Sequence, residues 1–138
     1  MKQIAILLLL LIMGGCAATK SSVQHESMDL ALTSWRLEVL NGRDVAVVAD
    51  SEAYTLIFRA DMALGGRGSC NLLMGNYAIG KGGSLELSPL GLTRSMCPDM
   101  ATESEYVAML DSVTGFKIAD DILTLIAGES EVARFKLR

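Results

Sequence analysis

From Leu32 onward the chain breaks into short runs that alternate apolar and polar residues, separated by Gly, Asn and Asp. That punctuation restricts it to an architecture of short strands. Trp35, Leu37 and Val39 alternate with Arg36 and Glu38, so one face of this strand is expected in a core and the other in water. Asn41-Gly42 is a two-residue hairpin signal, because both residues accept positive φ, and Asp44–Ala49 would be the return strand. Tyr54–Ala60 reads as a strand with Tyr54, Leu56 and Phe58 on one face, Asp61-Met62 as a turn, and 63–69 as its antiparallel partner. Gly75–Ile79 resumes a strand with Tyr77 and Ile79 on one side, and Ser84–Leu87 follows the turn at 80–83. The tail repeats the pattern in Phe116–Ala119, Ile122–Ala127 and Val132–Leu137.

One segment departs from this period. Pro98 fits the first turn of a helix that continues with Tyr106, Val107, Leu110 and Val113 at helical spacing and stops at Gly115. Asp99, Glu103 and Glu105 lie near its N-terminus, where the helix dipole favours acids. The expected fold is therefore mainly β with one helix (α+β): an antiparallel sheet curled into a small barrel or half-barrel, covered by the helix near 98–114.

The front of the chain carries a different message. Lys2 precedes an unbroken apolar run from Ile4 to Met13, followed by Gly14-Gly15-Cys16. Ten helical residues span about 15 Å, half the hydrocarbon thickness, so the run suits a signal peptide over 1–15 and not a membrane span. Small residues before a cysteine resemble a bacterial lipobox, with Cys16 as the acylated residue, although Met13 stands where Leu is usual; an ordinary secretory signal is the alternative. Residues 16–31, rich in Ser, Gln, Glu and Thr, read as a lipid-anchored tether, and 32–138 as the folded domain. Ala17 after the cysteine points to the outer membrane, facing the periplasm, by resemblance to Gram-negative sorting. Removing 1–15 takes away Lys2 and leaves a net charge of −5. Scattered Lys and Arg on an acidic domain argue against nucleic acid as a partner.

Few residues offer chemistry. His25, the only histidine, lies in the tether, away from any fixed catalytic partner. With Cys16 set aside, Cys70 and Cys97 form an even pair, either as a disulfide or as two buried thiols. No Cys-x-x-Cys spacing suggests a metal, and no cofactor motif is complete: Gly66-Arg67-Gly68 begins like a dinucleotide fingerprint, but Asn71 holds the third glycine position and no helix follows. Glu103, Glu105 and Asp111 read as the wet face of the helix, and Met96, Met100 and Met109 as core filler around it.

Gly68-Ser69-Cys70-Asn71, Gly75-Asn76-Tyr77 and Thr93-Arg94-Ser95-Met96-Cys97, together with Trp35, Tyr54–Phe58, Leu123-Thr124-Leu125 and Phe135, resemble the META domain family, which includes HslJ-like heat-shock proteins and many envelope lipoproteins. The resemblance covers roughly residues 32 to 137. It implies a compact β-rich domain with one helix and no established catalytic activity. It also implies that Cys70 and Cys97 come close, with Asn71, Thr93 and Arg94 satisfying backbone groups at the sheet–helix junction. Gly68, Gly75 and Tyr77 complete the structural motif. Family associations with heat shock, outer-membrane integrity and novobiocin tolerance give the functional expectation: a monomeric, non-enzymatic lipoprotein that binds another envelope component. A carrier holding a small molecule or lipid inside the barrel is the alternative.

Overall fold

The computed structural model describes residues 30–46 and 51–138. The expected signal peptide, Cys16, His25 and nearly all of the tether lie outside them, as does the end of the expected return strand. Among the described residues there are ten strands: β1 (Thr33–Leu40), β2 (Arg43–Asp44), β3 (Thr55–Phe58), β4 (Ala63–Arg67), β5 (Leu72–Ile79), β6 (Leu85–Leu87), β7 (Gly91–Leu92), β8 (Gly115–Ala119), β9 (Ile122–Ala127) and β10 (Ser130–Leu137). The helix, α1, spans Met100–Asp111.

All pairings between these strands are antiparallel, in the order β6-β5-β4-β3-β1-β10-β9-β8, with β2 on the end of β1 and β7 on β5. The two edges approach one another through a bridge between Ser84 and Gly115, and the Leu85 N–H donates to the Thr114 carbonyl at 3.1 Å. The sheet is thus a nearly closed eight-strand barrel with one helix. Trp35, Leu37, Leu56, Phe58, Leu73, Leu123, Leu125 and Phe135 are buried in its core. Tyr106, Met109 and Leu110 add one face of the helix to the same core. Tyr106 is fully buried, edge-on to Tyr54 at 5.4 Å between ring centroids. Burying a large side chain of this kind contributes about 1.5–3 kcal/mol. The Trp35 indole N–H, buried without an acceptor among the described residues, costs about 1–3 kcal/mol against that gain.

Several expected boundaries move, each for a local reason. In β1 the pairing with β10 slips between Leu37 and Val39, leaving Glu38 as a bulge. The extra residue inverts the alternation, so Leu40 is buried in place of Val39. β5 begins at Leu72, because Leu72–Met74 pair with Arg67–Gly65 and lengthen the expected strand by three residues. Gly91-Leu92, expected only to close β6, pairs with Leu73 and Met74. Pro98 precedes the helix instead of entering it: Asp99 is the cap, its Oδ1 accepting the Thr102 N–H at 3.3 Å. Gly115 opens β8 instead of ending α1, which stops at Asp111.

Candidate functional site

The turn between β4 and β5 contains Gly68-Ser69-Cys70-Asn71, and no large apolar side chain is available there to hold it. A covalent and polar knot does so instead. Cys70 and Cys97 are joined by a disulfide with their Cα atoms 5.7 Å apart, tying the turn to the segment just ahead of α1. Beside the sulfurs lies Glu103, only 3% exposed, from the first turn of the helix. Its Oε2 accepts the backbone N–H groups of Cys70 and Asn71 at 3.3 Å each, and its Oε1 accepts the Asn71 Nδ2 at 2.6 Å. Burial raises the carboxyl pKa, but the Asn71 side chain and the Asn71, Cys70 and Ser69 N–H groups outweigh it and hold the group below the usual carboxylate range. An anion is thereby stabilised by neutral donors.

Asn71 is the hub of the knot. Its Oδ1 accepts the Ser95 N–H at 2.7 Å and the Thr93 hydroxyl at 3.0 Å, while its Nδ2 also donates to the Ser95 carbonyl at 3.1 Å. The Thr93 hydroxyl in turn accepts the Leu72 N–H. Gly68 is obligatory for steric reasons, since a Cβ there would lie 2.5 Å from Glu103 Oε2. Next to the knot the Tyr54 hydroxyl donates to Asp99 at 2.9 Å. Burial, reinforced by that bond, pushes the Tyr54 phenol up to about 12.

The other sequence candidates fall in different surroundings. Tyr77 packs edge-on to Phe58 and donates to the Arg59 carbonyl at 2.7 Å. Gly75 leaves room for Leu90, whose Cδ2 would be 2.9 Å from an added Cβ. Arg94 is exposed and makes no hydrogen bond to a backbone group among the described residues, contrary to the expectation from the motif. Met96 is 90% exposed and Met100 38%, so of the three expected core methionines only Met109 is buried. Glu103 was expected on the wet face and is instead part of the buried stripe. Its spacing to Tyr106 and Leu110, three and seven residues on, was the available signal.

Beside the knot opens a groove of about 520 Å³, lined among others by Asn71, Arg94, Met96, Met100 and Val107. Chemically, the knot itself presents a disulfide, an ionised carboxylate whose lone pairs are engaged, and an amide bonded through both its oxygen and its nitrogen. Among the described residues no group of three or more His, Cys, Asp and Glu is placed to hold a metal ion.

Comparison with known proteins places this architecture. An NMR structure of a protein from Burkholderia xenovorans is 27% identical over 81% of this chain and 86% of that one, with a TM-score of 0.62. A second NMR structure is 24% identical over 80% and 92%, also at 0.62. The crystal structure of a DUF4847 family protein from Bacteroides vulgatus shares the fold at 15% identity, covering 80% and 95%, with a TM-score of 0.58. No curated protein matches. The META domain model matches residues 28–138, four-fifths of the sequence, and the chain belongs to the META domain family.

Proposed function

We propose that this META domain protein is a non-catalytic, lipid-anchored component of the bacterial envelope, held at the outer membrane through Cys16 and acting by binding or supporting another envelope component under stress. The observation that carries the non-catalytic part is the saturation of the knot. The sulfurs are bonded to each other, and Asn71 and Glu103 direct their polar atoms at backbone and at one another. Those groups hold a turn and a helix in register, and none is left as a nucleophile or general base. A disulfide also suits an oxidising compartment such as the periplasm. The barrel interior, filled by Trp35, Phe58, Phe135 and the leucines around them, gives a ligand carrier little support.

Metabolic labelling with a fatty acid tests the anchor: wild type takes up label that Cys16→Ser lacks. An unlabelled, soluble mature protein would contradict the proposal. Cross-linking in intact cells should then recover an envelope protein, and recovery of cytoplasmic proteins alone would equally contradict it.

A further inference from the structure

The two sulfurs of the knot differ in what a reductant can reach and in what surrounds them. Cys97 is 7% exposed, whereas Cys70, in the β4–β5 turn, is half-buried. A thiol arriving from solvent therefore meets Cys70 Sγ, and the bond it breaks expels Cys97 Sγ. Around that leaving sulfur the structure places acceptors, Glu103 Oε2 at 3.8 Å and the Ser95 carbonyl at 3.6 Å. The donor in reach is Asn71 Nδ2 at 3.4 Å, but it also donates, at shorter range, to Glu103 Oε1 at 2.6 Å and to the Ser95 carbonyl at 3.1 Å. A side-chain amide has two N–H donors, so both are already engaged. The Cys97 N–H is directed at Met100 Sδ, 3.3 Å away. Two further charges border the knot: Asp99, which accepts the Tyr54 hydroxyl, and Arg67, whose Nη1 donates to the Cys70 carbonyl at 3.3 Å. The cation thus lies on the side of the attacked cysteine, and the anion beside the leaving one.

We propose that Glu103 is a kinetic lock on the Cys70–Cys97 disulfide, slowing its exchange with solvent thiols by disfavouring the Cys97 thiolate that must leave. In the exchange, a thiolate of the reductant attacks Cys70 Sγ and forms a mixed disulfide there, while the Cys70–Cys97 bond breaks and its electron pair stays on Cys97 Sγ. A second thiolate of the reductant then attacks the reductant's own sulfur in that mixed disulfide and releases Cys70. Both protein thiolates take protons from solvent, and the two electrons come from the reductant, which ends as a disulfide. The first step slows as the pKa of the leaving thiol rises, and a carboxylate at 3.8 Å raises it by opposing the anion. The protonated product is not opposed, because its S–H has Glu103 Oε2 and the Ser95 carbonyl as acceptors. The effect therefore falls on the rate of reduction and not on its equilibrium. Glu103 then does more than hold the turn to α1: it keeps the bond from being reshuffled, with no dependence on the anchor at Cys16 or on any partner.

The test uses the chain from residue 16 onward carrying Cys16→Ser, in which Cys70 and Cys97 are the only cysteines. Its reduction by excess dithiothreitol is followed at about pH 8, where the dithiol is partly thiolate, by alkylating quenched samples and weighing them. Glu103→Gln should be reduced about tenfold faster or more. Because that change also loosens the turn, amide hydrogen exchange at Cys70 and Asn71 is measured in the same variant, and reduction should accelerate by the larger factor. Glu103→Asp keeps the charge, and once corrected for its own change in amide exchange it should stay within about threefold of the parent. In concentrated guanidinium, where the knot is gone, all three proteins should be reduced at one rate. An unchanged or slower rate in Glu103→Gln, the latter being the sign of a carboxyl that donates a proton to the leaving sulfur, would overturn the inference. So would an acceleration equal to the rise in amide exchange, an equal corrected effect of Gln and Asp, or a difference that persists in guanidinium.

Discussion

At the head of α1, the β4–β5 turn is joined to the helix by a disulfide and a buried carboxylate, whereas at the seam between β6 and β8 the sheet edges meet through one β-bridge and the Leu85–Thr114 hydrogen bond. Side-chain supply explains the difference. The segment Gly65-Gly66-Arg67-Gly68-Ser69 has almost no apolar surface to bury, so it is fixed by sulfur and by hydrogen bonds to charge. The seam is flanked by the buried side chains of Leu85, Val113 and Phe116 and can rely on packing. It remains looser, with an opening of about 390 Å³ lined in part by Ile79, Ser84, Leu85 and Thr114. Stability is concentrated at the joint where the sequence provides least hydrophobic material.

The largest effect expected is from the covalent part. Converting Cys70 and Cys97 together to Ala opens a link with a sequence separation of 27 and should lower unfolding free energy by about 3.5 kcal/mol in denaturant titrations. A loss under about 1 kcal/mol would show that the polar network alone fixes the turn. Glu103→Ala comes next, at about 3 kcal/mol, because it strands the N–H groups of Cys70 and Asn71 and the Asn71 amide. Glu103→Gln should be milder, since it keeps the shape and one acceptor.

The same carboxylate gives the comparison a pH signature. Its folded-state pKa lies below the ordinary value, so its contribution is complete above the unfolded-state pKa of about 4.3 and is lost as pH falls through the lower folded value. Wild type should therefore lose stability below about pH 4.3 more steeply than Glu103→Gln, and parallel acid profiles would contradict this. At the alkaline end Tyr54, raised to about 12, adds stability that is complete below about pH 10 and lost as pH rises towards 12.

Single-methyl probes sharpen the contrast further. Gly68→Ala drives a Cβ to 2.5 Å from Glu103 Oε2 and should cost about 2 kcal/mol, whereas Gly115→Ala at the seam meets the Gly83 carbonyl at 3.1 Å and should cost about 0.5 kcal/mol. Equal losses would remove the distinction between the joints. Smallest of all, Arg43→Gln breaks the exposed ion pair with Glu105 and should leave the thermal midpoint essentially where it was.

Much of this architecture was legible in the sequence because strand period and turn chemistry are local. Trp35 with Leu37, and Tyr54, Leu56 and Phe58, declared their buried faces by alternation alone. The β1 bulge was not legible, because the slip at Glu38 depends on pairing with a strand almost a hundred residues later. Asn71 and Thr93 could be placed at the sheet–helix junction from their motif, but Arg94, in the same motif, projects into solvent. Glu103 escaped notice because a carboxylate on a buried stripe is affordable only if donors arrive from elsewhere. Here they come from a turn more than thirty residues earlier.

A double-mutant cycle between Asn71→Ala and Glu103→Ala, followed by equilibrium unfolding with the disulfide intact, tests the knot most directly. If the two side chains form one unit that holds the β4–β5 turn to α1, the coupling energy is about 2 kcal/mol. Losses that add to within about 0.5 kcal/mol would contradict it.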